Sequence, residues 1–165
     1  MDSALLASLA QLVLAAQCGI AAYCDFRHRM LPNLLCLSVL GTGIAAGWML
    51  HDLTWVGLSL AHGVLALLVG MALFAGGVIG GGDAKFYVAV AAWLPLGYGF
   101  WMLGAVALCG LVLALAWFPL RSRVAALAPD PALAKEFRKV PFGLAIAAGG
   151  LLTYLASTGI WGAQA

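Results

Sequence analysis

Apolar residues run along this chain in blocks too long and too uniform for water-facing helices. Between charges and turn signals they form six stretches, roughly 4–24, 31–50, 55–79, 84–96, 99–118 and 142–161. A helix needs about 20 predominantly apolar residues to cross a hydrocarbon core of about 30 Å. Five stretches reach that length. The fourth is shorter and runs into Trp93-Leu94-Pro95-Leu96-Gly97, which reads as a turn. The pattern predicts an all-α, polytopic membrane protein of about six transmembrane helices, with small loops and one transmembrane domain over 1–165. The segment before the first stretch, Met1-Asp2-Ser3, carries no Lys or Arg, and the apolar run behind it is longer than a usual signal-peptide core. The first stretch therefore reads as a retained helix.

Composition agrees. Of 165 residues, 65% are apolar and 8% charged, against about 45–50% and about 25% in soluble domains. Mean hydropathy is +1.07. A cytosolic globule of this size could not hide that much apolar surface. The net charge of +2 is too small to point to nucleic acid, and none is expected as a partner. The placement of the charges says more. Arg27 and Arg29 follow stretch one, Lys85 follows stretch three, and Arg121, Arg123, Lys135, Arg138 and Lys139 lie between stretches five and six. In a six-span chain all of these fall on one side, which the positive-inside rule makes cytoplasmic, with both termini extracytoplasmic. The basic segment 120–140 is broken by Pro129-Asp130-Pro131, and Ala132 to Lys139 reads as a short basic helix on the inner surface, beside membrane lipid. Cys18, Cys24, Cys36 and Cys109 form no C-x-x-C pair and read as apolar packing residues.

Two acids stand out. Asp2, Asp52, Asp130 and Glu136 fall at the terminus or in loops, whereas Asp25 and Asp83 lie at the cytoplasmic edges of apolar stretches. Ionisable residues at membrane depth are costly and mark functional sites by default. The six-span arrangement puts both on one side. Two carboxyls that meet cannot easily both ionise, so one keeps a proton. One can then take a proton from water while the other hydrogen-bonds a scissile carbonyl. Simpler readings exist: Asp83 as a helix N-cap, and Asp25 as a partner for Arg29 one turn on.

Asp83 ends the run Gly76-Gly77-Val78-Ile79-Gly80-Gly81-Gly82-Asp83. Gly77 with Gly81, and Gly43 with Gly47, fit a small-xxx-small helix-packing spacing. Glycine directly before Asp83 also leaves backbone groups open beside the carboxyl, where an extended peptide could dock. Leu31-Pro32-Asn33 and Pro141-Phe142-Gly143 each read as helix starts. His62 reads as a hydrogen-bonded packing residue. No His, Cys, Asp and Glu cluster has metal-ligand spacing, and no metal or cofactor is expected.

Three segments together resemble the type IV prepilin peptidases, and within them the small form of tight-adherence (Flp) pilus systems. Asp25-Phe26-Arg27-His28-Arg29-Met30-Leu31-Pro32-Asn33 is similar to that family's first aspartate segment. Gly80-Gly81-Gly82-Asp83-Ala84-Lys85 is similar to its Gly-x-Gly-Asp motif with a trailing Lys, and Pro141-Phe142-Gly143 to a third element that is usually Pro-Tyr-Gly. The resemblance implies an aspartic endopeptidase in the inner membrane of a bacterial cell. Its partner would be a prepilin with a basic leader and an apolar helix, cleaved at the cytoplasmic face. Asp25 and Asp83 match the catalytic pair, with Gly80, Gly82, Lys85, Pro32 and Asn33 in support. Larger members also N-methylate the new terminus and carry paired C-x-x-C motifs. With none here, cleavage without an N-methyltransferase region is expected.

Helix ends bias the two acids differently. The C-terminal end of stretch one favours a protonated Asp25, and the N-terminal end of stretch four favours an ionised Asp83, with Lys85 adding to that bias if it reaches. A proton-coupled transporter component would spread its acids through the bilayer depth, and a non-catalytic assembly subunit would not need either acid.

Overall fold

The computed structural model describes residues 3–126 and 134–159. Regular structure among them is helical: α1 (Ser3–His28), α2 (Asn33–Leu50), α3 (Leu53–Ala75), α4 (Gly81–Ala91), α5 (Gly99–Ala126), α6 (Ala134–Phe137) and α7 (Phe142–Ser157), with a 3-10 turn at Leu96–Tyr98. Each of the six apolar stretches overlaps one helix, though only 31–50 and 142–161 enclose theirs. Four segments are long and apolar enough to cross a bilayer: Ser3–His28, Asn33–Leu50, Leu53–Ala75 and Leu96–Val124. Their outer faces carry large apolar side chains such as Leu12, Trp48, Leu68, Leu115 and Phe118, all exposed. Helices apolar on every side suit hydrocarbon rather than water, and the chain is a multi-pass membrane protein.

Two helices are shorter. α7 has 16 residues. α4 has 11 and rises only about 16 Å, well under the bilayer core. They form the interior: α4 packs against α2, α3 and α7, and α7 packs against α1, α4 and α5. Phe86 and Val90 of α4 and Ile146 of α7 are essentially inaccessible. The predicted fourth stretch, 84–96, is thus partly helix and partly a buried turn. In that turn the Trp93 indole donates to the Val39 carbonyl at 2.8 Å, and His62 Nδ1 lies 3.0 Å from the Leu94 carbonyl. His62 is the hydrogen-bonded packing residue the sequence suggests. α5 overruns its predicted end at 118 and continues through Pro119 to Ala126. α6 lies within the predicted basic helix, and Pro129-Asp130-Pro131 lies outside the described residues.

The two glycine pairs have different fates. Gly43 and Gly47 are both buried on α2, and a Cβ on Gly43 would stand 2.6 Å from the Trp93 ring. Gly47 packs against Trp55 and Val56 of α3, a helix contact of the kind the spacing predicts, whereas Gly43 makes room for the Trp93 ring of the buried turn. Gly77 and Gly81 do not make a helix face. Gly77 has φ 71°, and the N–H groups of Gly77 and Val78 donate to the Phe74 and Leu73 carbonyls, both at 2.9 Å. That is a Schellman turn ending α3, and its left-handed residue favours glycine. The run therefore breaks the helix where the spacing alone suggests packing.

α5 and α7 meet backbone to backbone at Gly149, where a Cβ would collide with the backbone of Ala105 and Val106. Backbone cannot step aside as a side chain can. Gly149→Ala is expected to destabilise the fold by about 1–3 kcal/mol, seen as a lowered thermal midpoint in detergent. Gly19→Ala, where a Cβ meets nothing within 4 Å, is expected to leave the midpoint unchanged or slightly raised.

Candidate functional site

One end of the bundle gathers the C-terminus of α1 with the N-termini of α2, α4 and α7. Asp25 sits in the last turn of α1, which ends because Arg29 adopts a left-handed conformation at φ 55° while its N–H still donates to the Asp25 carbonyl at 3.1 Å. The Asp25 side chain is 8% exposed. It points at the start of α7, where the backbone N–H groups of Gly143 and Leu144 face its carboxyl.

That arrangement follows from the local sequence. The first N–H groups of a helix need outside acceptors, and the residue before α7 is Pro141, whose side chain offers none. Asp25 approaches from a different helix. Gly143 makes the approach possible, since a Cβ there would lie 2.8 Å from Asp25 Oδ2. The same Oδ2 is buried without a hydrogen-bond partner among the described residues. A buried, unpartnered carboxylate oxygen calls for an explanation beyond stability.

Asp83 is half-buried and is not an N-cap. Gly80 holds that position, and Asp83 lies in the first turn of α4. Its carboxyl turns back toward the Gly80 backbone N–H, the geometry of one half of a capping box. A Cβ on Gly80 would lie 3.0 Å from Asp83 Oδ2. Asp83 also interacts electrostatically with Asp25, so the two carboxyls, 58 positions apart in sequence, share one site.

The supporting residues separate into two groups. Gly80 and Gly82 both lie at the site: Gly80 beside the Asp83 carboxyl, and Gly82 with its missing Cβ 3.6 Å from Leu31 Cβ. This contact joins the glycine run to Leu31-Pro32-Asn33. Lys85 and Asn33 hold each other, with Lys85 Nζ donating to Asn33 Oδ1 at 3.1 Å on the exposed surface. The ammonium thus ties α4 to α2. Pro32 is the exposed N-cap of α2, and its carbonyl accepts from the Leu35 and Cys36 N–H groups at 3.1 and 3.2 Å.

Arg29 is tied to more than Asp25. Its charge acts on the carboxyl, but Nη2 donates to the Phe137 carbonyl at 3.3 Å. The guanidinium lies 5.0 Å from the Trp117 ring centroid and 5.2 Å from that of Phe137, both within cation–π range. Arg29 thereby pins α5 and α6 beside Asp25. The sequence alone does not pick out Trp117, and it marks Gly143 only as the end of the Pro141-Phe142-Gly143 element, with no role beside Asp25. The usable signal for Gly143 is a glycine two places after a proline that starts a helix and cannot cap it.

Helix polarity does not divide the two acids as α1 and α4 considered alone suggest. Asp25 is near the C-terminal end of α1, but its carboxyl faces the N-terminus of α7, so each acid meets the positive end of one helix. Among the described residues no cluster of three or more His, Cys, Asp and Glu has metal-binding geometry.

No curated protein and no solved structure matches this chain. Residues 12–115, which run from α1 into α5 and contain both Asp25 and Asp83, match the type IV leader peptidase family, and the chain belongs to that family.

Proposed function

We propose that this chain is an aspartic endopeptidase that removes the short basic leader of Flp-like type IV prepilins at the cytoplasmic face of the bacterial inner membrane. Membership of the family makes it a leader peptidase in general terms. The finer reading rests above all on one observation: Asp25 and Asp83 stand close enough to interact, at the end of the bundle that also carries Arg27, Arg29 and Lys85. The reading takes the chain as one peptidase domain crossing the bilayer six times, α4 and α7 included, with both termini extracytoplasmic. The one-sided placement of all Lys and Arg supports this. Cleavage without N-methylation is the accompanying proposal, supported by cysteines that form no C-x-x-C pair.

The chemistry follows from the pair. One carboxylate takes a proton from a water molecule, and the resulting hydroxide adds to the scissile carbonyl carbon. The other carboxyl, protonated, donates to the carbonyl oxygen as it gains charge. Collapse of the tetrahedral intermediate breaks the C–N bond, and the departing amine takes a proton back from the first carboxyl. The products are a leader ending in a carboxylate and a pilin with a new amino terminus. The backbone N–H groups at the starts of α4 and α7 hold the two carboxyls in place through these steps.

Asp25→Asn and Asp83→Asn are each expected to slow leader removal by about 10²-fold or more, read on a gel after co-expression with a candidate prepilin. Processing by either variant at the wild-type rate rejects the mechanism. It would favour a non-catalytic assembly role.

Gly143→Ala tests the positioning of Asp25. The new methyl must displace the carboxyl, since its Cβ would lie 2.8–3.1 Å from Asp25 side-chain atoms. A misplacement on the scale of 1 Å costs about 10²-fold in rate. The expected result is a slower cleavage step at unchanged protein level in the membrane. A wild-type rate would show that Asp25 need not sit at the start of α7.

A further inference from the structure

A cavity of about 560 Å³ opens between α3, α4, α5 and α7. Its walls are mostly apolar, with Val69, Leu103, Ala107 and Phe142 among them, and Asp83 lines it too. Asp83 stands at the start of α4. His62, held to the Leu94 carbonyl, marks the other end. The groove therefore runs beside α4, about three helical turns. Val69 and Leu103 are 51% and 56% exposed, so it opens sideways, to hydrocarbon in a membrane.

This groove is continuous with the proposed catalytic pair, because Asp83 belongs to both. A polypeptide cleaved at Asp83 must place its next residues somewhere. Those that enter the bilayer have no water to satisfy their backbone, so they must be helical, and a groove with apolar walls accepts only apolar side chains. Small wall residues such as Gly99 and Ala107 allow a second helix to come close. We infer that the groove seats the apolar helix of the substrate that follows the scissile bond, one face of it against α3 and α5, with the bond itself at Asp83. Such a helix would read the groove through residues at i, i+3, i+4 and i+7. This inference rests on the catalytic reading of Asp25 and Asp83 and adds where the rest of the substrate lies.

The test uses the full chain in phospholipid vesicles. The probe is a synthetic substrate of basic leader, glycine and an apolar helix of about 20 residues. A photo-reactive benzophenone side chain replaces Val69 or Leu103 in the groove, or Val112, which is exposed on α5 two and a half turns from Leu103. With Asp25→Asn keeping the substrate intact, crosslinks to its helix are expected from positions 69 and 103 and not from 112. In the otherwise native chain, Ala107→Trp fills the groove and is expected to slow leader removal by about tenfold or more, while Val112→Trp leaves it unchanged. If the native chain removes the leader but positions 69 and 103 capture only lipid, the groove assignment is wrong and the catalytic reading stands. Crosslinking from 112 as strong as from 103, or a wild-type rate for Ala107→Trp, overturns it equally. If the native chain leaves the leader in place, the catalytic reading itself fails, and this inference with it.

Discussion

The site depends on a carboxyl being led into the start of a helix that cannot cap itself. Pro141 opens α7 with no side-chain acceptor, and Asp25 faces the first free N–H groups from α1. In water such N–H groups would find solvent. Inside an apolar bundle they must find protein, because an unsatisfied polar group there costs several kcal/mol. One interaction thus serves two ends. It completes α7, and it fixes a buried carboxyl at the place where α4 brings in the second one.

The architecture around that contact sets four long helices against two short ones, with α7 between α1 and α5 and α4 between α2 and α3. α1, α2, α3 and α5 present large apolar side chains outward. α4 and α7 fill the middle and make the close contacts, with Gly149 against the α5 backbone and Gly43 against Trp93. Because α4 begins only after the turn at Gly76 to Gly80, the start of the helix, and Asp83 with it, lies among neighbours rather than beyond them. The shortness of α4 is therefore part of the site. A full-length span in its place would carry the acid elsewhere.

The same end is stitched together by contacts of quite different kinds. Lys85 and Asn33 make an exposed hydrogen bond between α4 and α2, of the class that contributes little to stability. Arg29 lies between two aromatic rings and hydrogen-bonds α6, a partly buried arrangement worth more. It also ends α1 by its left-handed backbone. The basic residues that the charge pattern assigns to the cytoplasmic face thus include one with a second use, which holds α5 and α6 against the acid.

Much of this was legible in the sequence. Hydrophobic blocks of bilayer length give helices with little ambiguity, because a chain in hydrocarbon has almost no other way to satisfy its backbone. The motif segments around Asp25 and Asp83 marked the residues that now share a site, since charge at membrane depth is too costly to be incidental. Three things were not legible. Gly77 has the spacing of a packing residue and forms a turn, because spacing does not reveal which glycine ends a helix. Asp83 fits an N-cap by sequence and stands two places past Gly81, at the start of α4. By sequence Asp25 meets only the field of its own helix, whereas the start of α7, more than a hundred residues away, faces it. Helix existence and chemical type were thus determined by the sequence, through local backbone and solvation constraints. Which helix end meets which side chain was decided only by tertiary packing, because it depends on how closely glycine lets two distant backbones approach.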